Sequence, residues 1–292
     1  MAAAETLRSV LKWNRLATAT GCIVLAGLLI QLLKSGPVSR TDERSENRGA
    51  VADQMGGKRM AADLIVAWQD EPDHFTQSRR RMLIEDIAGR DVTDETVLRA
   101  MGKVPRQEFV PADSRDAAYQ DYPLPIGEGQ TISQPYIVAL MTQLAGARRG
   151  CRALDVGTGS GYQAAVLAEI CEEVCSIEIV EPLARQASAR LAALGYDHVH
   201  VRHGDGYRGW PDKAPFDVII VAAAPDHVPE PLVEQLAAGG RLVIPVGRSY
   251  QELLMIERDQ DGELHQHPGI PVRFVPMTGE AENQSPPGRP TD

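Results

Sequence analysis

Three acids and three glycines fall in an order that could hold a nucleoside. The run RALDVGTGSGY places Gly157, Gly159 and Gly161, with Thr158 between them, directly after a short apolar stretch and just ahead of a helix-like one. Glycines there let the chain turn tightly and let a ligand approach backbone N–H groups at a helix N-terminus. Asp155 stands two positions before the first glycine. A carboxylate so close would repel a pyrophosphate, whereas it favours a cationic ligand carrying an amino group and a sulfonium. Glu178, in CSIEIVEP, follows about 20 residues later, where an acid after the second strand accepts hydrogen bonds from ribose hydroxyls. In HGDG, Asp205 and Gly206 close a third apolar stretch, from which Asp205 could reach an adenine amino group. The GxGxG spacing and the adjacent acid favour S-adenosylmethionine over a nicotinamide dinucleotide.

Such residues converge only if consecutive strands end side by side. Apolar runs of strand length recur at Ala153–Val156, Val174–Ile179, Val199–Arg202, Asp217–Val221 and Arg241–Pro245, alternating with helix-like stretches at Gln163–Ile170 and Pro182–Leu194. That alternation predicts an α/β fold: a doubly wound, mainly parallel, Rossmann-like sheet covered on both faces. Leu253–Glu257 and Val272–Val275 extend it as an antiparallel edge. Upstream, Arg79–Ala88 and Asp94–Met101 read as helices, the second with Thr93 as N-cap and Asp94 and Glu95 in its first turn.

Composition narrows the partners. The chain has 292 residues and a formal net charge of −10, which repels a phosphate backbone, so no nucleic-acid partner is expected. Cys22, Cys151, Cys171 and Cys175 are too irregularly placed for a disulfide framework and read as reduced, mostly buried thiols. Cys171 and Cys175 could share a helix face, but with no further ligand near them in sequence no metal is expected.

The chain reads as four segments. Residues 1–34 hold the apolar run Leu16–Leu33, preceded by Arg8, Lys12 and Arg15, long enough for a single uncleaved membrane anchor. Lys34, Arg40 and Arg44 nearly balance the basic residues on the near side, so charge leaves the orientation open. Residues 35–58 read as a flexible tether, 59–277 as the folded domain, and 278–292, with Pro286, Pro287 and Pro290, as a disordered tail.

Ahead of the glycine loop lie VPRQEFVP (Val104–Pro111) and YPLPIGEGQTISQPYIVALM (Tyr122–Met141), the latter leading into an apolar helix as either a connector or a lid. These segments, with DVGTGSGY, RHGDG, PFDVIIVAAAP, GGRLVIPVG and VRFVP, resemble the protein-L-isoaspartate O-methyltransferase family from about Arg79 to Met277. PIGEGQTISQP is far more specific to that family than the glycine loop, which class I methyltransferases share widely. The resemblance implies methyl transfer from S-adenosylmethionine to the free α-carboxylate of L-isoaspartyl residues in damaged proteins, starting repair through a succinimide. It makes Ser133 the active-site serine and Thr131 a substrate neighbour, with isoaspartyl proteins and peptides as partners of a monomer. The family's loop is often preceded by Glu where this chain has Asp155, and the first 75 or so residues have no counterpart in its compact cytosolic members. Because S-adenosylmethionine is a cytoplasmic metabolite, the domain is expected on the cytoplasmic side, tethered to the inner membrane, with export left open.

A carboxylate acceptor is already ionised at neutral pH and needs no strong general base. The demands are alignment and desolvation, with Ser133 donating a hydrogen bond to the acceptor. His203, beside the cofactor strand end, reads as structural rather than as a base. Ser133 could instead merely cap the helix beginning near Pro135. Two other functions stay open on sequence: a methyltransferase for a small molecule, and a non-catalytic, membrane-tethered module that binds peptides.

Overall fold

The computed structural model describes residues 73–283. The apolar run Leu16–Leu33, the tether and the end of the tail lie outside them; among the described residues no helix is long and apolar enough to cross a membrane.

The leading helices form a layer beneath the site. Helix α1 (His74–Arg81) runs into a π-helical turn, Met82–Ile87, which buries Met82, Leu83 and Ile87. Helix α2 (Glu95–Lys103) is capped by Asp94 rather than by the expected Thr93: Asp94 Oδ1 accepts the N–H groups of Thr96 and Val97 at 2.7 and 3.1 Å. The backbone N–H groups of Thr93 and Asp94 instead donate to Gln143 Oε1, tying this corner to a neighbouring helix. The TIS-bearing segment forms a hairpin, β1 (Leu124–Gly127) and β2 (Gln130–Ile132), followed by α3 (Pro135–Leu144). Its two turn residues, Glu128 and Gly129, both have positive φ, as the twist of a two-residue hairpin loop requires.

The expected sheet follows: β3 (Arg152–Val156), α4 (Tyr162–Ala168), β4 (Glu173–Glu178), α5 (Glu181–Ala193), β5 (Val199–His203), β6 (Phe216–Val221), the short α6 (Glu230–Glu234), β7 (Leu236–Val246), β8 (Gln251–Arg258) and β9 (Leu264–Val272). Strand order is 5-4-3-6-7-8-9, parallel through β7, with β8 and β9 antiparallel. Strand period 2 divides the apolar side chains between two cores: Ala153, Val174, Val218 and Val243 face one, Leu154, Cys175, Ile219 and Leu242 the other. The strand order reverses between β3 and β6, and such a switch point opens a ligand crevice at the carboxyl ends of the strands.

Three further expectations are corrected. The antiparallel edge strand ends at Val272 instead of spanning Val272–Val275, because the chain turns off the sheet there and only Pro276 bridges back, to Ala224. The described part of the expected tail is ordered: Gly279–Glu282 forms a 3-10 turn with Ala281 buried, held by the N–H of Glu280 on Asp205 Oδ2 at 2.8 Å. Cys151 and Cys171 are joined as a disulfide, leaving Cys175 as the free thiol among the described residues. Cys151 leads into β3 and Cys171 leads into its parallel neighbour β4, where the N–H of Glu172 donates to Cys151 O at 2.9 Å, so their Cα atoms are 4.6 Å apart.

Candidate active site

The crevice is built from backbone first. Gly157, Gly159 and Gly161 all adopt positive φ, at 93, 51 and 89°, a conformation that side chains with a Cβ rarely take. The loop is stitched to β4 by the N–H groups of Gly157 and Thr158, both donating to Ile177 O. Gly157, Thr158 and Gly159 line the crevice. Gly161 lies behind it, where a Cβ would meet Leu191 and Ala187 at 3.3 and 3.4 Å; its smallness lets α4 pack against α5.

Glu178 ends β4 inside the same crevice, 6% exposed, with Oε2 accepting the N–H of Gly159 and Oε1 that of Val180. Each carboxylate oxygen keeps a further lone pair for a ligand hydroxyl. Gly206 also lines the crevice, and a Cβ there would sit 2.4 Å from Val156 Cγ1. Asp205, beside it, turns its carboxylate to protein: Oδ1 accepts the N–H of Tyr207 and Oδ2 that of Glu280.

Asp155 lies beneath the loop, fully buried. Its Oδ2 accepts the Ser176 hydroxyl at 2.7 Å, and Ser176 Oγ meets Thr158 Oγ1 at 2.5 Å, so the acid braces the loop from below. Among the described residues its Oδ1 has no hydrogen-bond partner. Burial pushes the carboxyl up to about 7, and the Ser176 hydrogen bond only partly opposes it.

Thr131 and Ser133 come in from the β1–β2 hairpin and its exit, and both line the crevice. They also line a second, adjoining groove of about 580 Å³ whose other walls include Arg90, Tyr136 and the segment Ile270–Val275. Ser133 is not the cap of α3: that position belongs to Gln134, which makes no side-chain cap bond, while Asp121 Oδ1 accepts the N–H of Tyr136 from across the chain. The Ser133 backbone is fixed from beneath by Arg106, a wholly buried side chain in VPRQEFVP. Its guanidinium donates to Ser133 O and Ala118 O, each at 2.7 Å, and lies 4.7 Å from the centre of the Tyr162 ring. Burial lowers the Arg106 pKa.

His203 stands outside the chemistry, its Nε2 donating to Ile179 O at 3.1 Å. The sequence reading does not include Arg106 or the strap Val275–Thr278, which lines the crevice. Part of the signal was present, since Arg106 lies in VPRQEFVP and Val275 and Pro276 in VRFVP, but Thr278 falls in the stretch expected as tail, and none of these is a residue type that announces ligand contact.

Known proteins resemble this chain in sequence and in fold. The family model for protein-L-isoaspartate(D-aspartate) O-methyltransferase matches residues 77–282. The protein-L-isoaspartate O-methyltransferase of Opitutus terrae is 59% identical over 206 residues, 70% of this chain and 88% of that protein. The chain belongs to this family. Another relative, protein-L-isoaspartate O-methyltransferase 2 of a Polaromonas species, is 58% identical over 66% of this chain and 92% of its own length. Among solved structures, a protein-L-isoaspartate O-methyltransferase from Plasmodium falciparum in complex with S-adenosyl-L-homocysteine superposes with a TM-score of 0.61 at 26% identity, covering 71% of this chain and 99% of that one. In this isoaspartate methyltransferase the positive-φ glycines and the Glu178 carboxylate, bonded to one another, line the same crevice.

Proposed function

We propose that this chain transfers a methyl group from S-adenosylmethionine to the free α-carboxylate of L-isoaspartyl residues in damaged proteins. The observation that carries the reading is that Ser133 and Thr131 line the cofactor crevice and the adjoining groove at once. Ala222 and Val275 are shared by both as well, so a group presented from the groove reaches the methyl donor along a junction to which Thr131 and Ser133 contribute the polar side chains.

Gly157, Thr158, Gly159, Glu178 and Gly206 would hold the cofactor, with Asp155 and Gly161 supporting the loop and Asp205 fixing the strap. S-adenosylmethionine supplies a methyl carbon whose bond to the sulfonium breaks as a carboxylate oxygen bonds to it, the electron pair staying on sulfur. Ser133 donates a hydrogen bond to the acceptor carboxylate and sets its angle of approach, while Arg106 holds the Ser133 backbone in place. No residue has to remove a proton, because the acceptor enters ionised. The walls of Ile132, Val138 and Val275 exclude water from the reacting atoms. The backbone nitrogen of the following residue then attacks the ester carbonyl, methanol leaves with the N–H proton, and hydrolysis of the resulting succinimide returns some normal aspartate.

A monomer is the proposed working unit. The cytoplasmic supply of S-adenosylmethionine supports a domain on that side of the membrane, with the apolar run Leu16–Leu33 as its single-pass tether. The test of the reaction is labelled methyl incorporation by the full chain into an isoaspartyl peptide and its aspartyl twin. Labelling of the first alone is expected; equal labelling overturns the substrate, and labelling of neither points to a small-molecule acceptor or a binder.

A further inference from the structure

The groove that opens onto Ser133 holds more than one carboxylate needs, and its charge is unlike that of the chain. Against a net charge of −10, it is lined by two arginines, Arg90 and Arg273. Arg90 is committed to the protein: its guanidinium lies 3.3 Å from the centre of the Tyr136 ring and pairs with Asp121 at 3.3 Å. Arg273 is exposed, and among the described residues it has no hydrogen-bond or ion-pair partner.

The backbone that carries Arg273 is nevertheless fixed. Gln251, 8% exposed at the start of β8, clasps the next residue with both ends of its amide: Nε2 donates to Phe274 O at 3.2 Å and Oε1 accepts the N–H of Phe274 at 2.6 Å. Val275 O then accepts the N–H of Ala224, and the N–H of Met277 returns to Ala224 O. Phe274 packs against the core, so its neighbour Arg273 is held at the groove wall as a long cation on a rigid base.

We propose that Arg273 is a specificity-determining residue that pairs with a carboxylate on the polypeptide flanking the isoaspartyl residue. The chain then favours damaged sites with acidic neighbours over sites with basic ones. The inference rests on the reading of the groove as the peptide channel. Arg273 does not take the reacting carboxylate, because an ion pair there would draw charge from the oxygen that must attack; Ser133 serves that group.

The test uses the full chain and isoaspartyl peptides with acetylated N-termini and amidated C-termini, bearing Glu, Gln or Lys on either side of the isoaspartate. The only second carboxylate is then that of the Glu side chain, which separates it from a chain terminus. An exposed ion pair supports about a threefold gain, and repulsion a loss of similar size. At the position Arg273 reads, kcat/KM for Glu over Lys is expected at about tenfold, shrinking as salt is raised. Arg273→Gln should bring this ratio near one and Arg273→Glu should invert it. A Glu-to-Lys ratio unchanged in both variants overturns the inference and leaves isoaspartyl methylation standing. Failure of the wild type to discriminate isoaspartyl from aspartyl peptides overturns both. Gln251→Glu, which cannot donate to Phe274 O, should weaken the same ratio by loosening the mount. A Gln or Lys peptide that matches the Glu peptide in the wild type would overturn the assignment to a carboxylate.

Discussion

Glu178 and Gly159 are joined across the crevice, the acid's Oε2 accepting the glycine's N–H at 2.7 Å. The residue proposed to receive ribose hydroxyls is thereby also the one that holds the middle of the glycine loop. Glu178→Ala removes both effects, and S-adenosylmethionine affinity should fall by about 1.5 to 3 kcal/mol, the range for hydrogen bonds to a charged group. Titration calorimetry reads this directly; unchanged affinity would take Glu178 out of the site.

Ser133→Ala should separate chemistry from stability. Since Gln134, not Ser133, occupies the cap of α3, the melting temperature should stay near that of the wild type. Turnover on an isoaspartyl peptide should drop by roughly ten- to a hundredfold, corresponding to about 1.4 to 2.7 kcal/mol for one oriented hydrogen bond. A lowered melting temperature with full turnover would make the serine structural.

Arg106→Met should cost both. It leaves Ser133 O and Ala118 O without their donor in a buried setting, a penalty of about 1 to 3 kcal/mol for each unsatisfied group. Turnover corrected for folded fraction should fall too, because Ser133 loses its anchor. Arg106→Lys, which can restore one of the two bonds, should recover part of the turnover. Chemical denaturation and initial rates on the same samples check this, and normal turnover in a destabilised Arg106→Met would confine Arg106 to a structural role.

The sheet, its parallel order and the three strand-end motifs were legible because apolar runs of strand length alternate with helical ones and glycine marks the turn. What escaped was set by contacts distant in sequence. LHQHPGIPV in β9 carries two prolines and no alternation, and it pairs only because it is an outer strand that donates on one side. Asp94 caps α2 in place of Thr93 because Gln143, on α3, takes the preceding N–H groups. Asp205 carries the residue type expected to face adenine, yet its carboxylate is spent on Tyr207 and Glu280, a pairing across 75 residues that no local pattern shows.

Asp155 should impose a pH dependence of its own. The buried carboxyl keeps its proton up to about 7 in the folded chain, whereas the unfolded chain releases it near 3.8. Between those values the folded state binds more protons, so its stability falls as pH rises and the full loss is reached above about 7. Asp155→Asn removes this component. Thermal midpoints measured from pH 5 to pH 8 should decline more steeply in the wild type than in the variant; parallel curves would show that the acid is ionised throughout.

The bond between Cys151 and Cys171, with a sequence separation of 20, turns the glycine loop and α4 into a covalent ring. Such a ring restricts the unfolded chain by about 3 kcal/mol in loop-closure entropy. A cytosol buffered by reduced thiols opens rings of this kind, and an oxidising compartment closes them. The redox poise around the domain therefore decides whether the glycine loop is tied off as a ring, and thiol alkylation in a freshly lysed cell reads which covalent form that compartment favours.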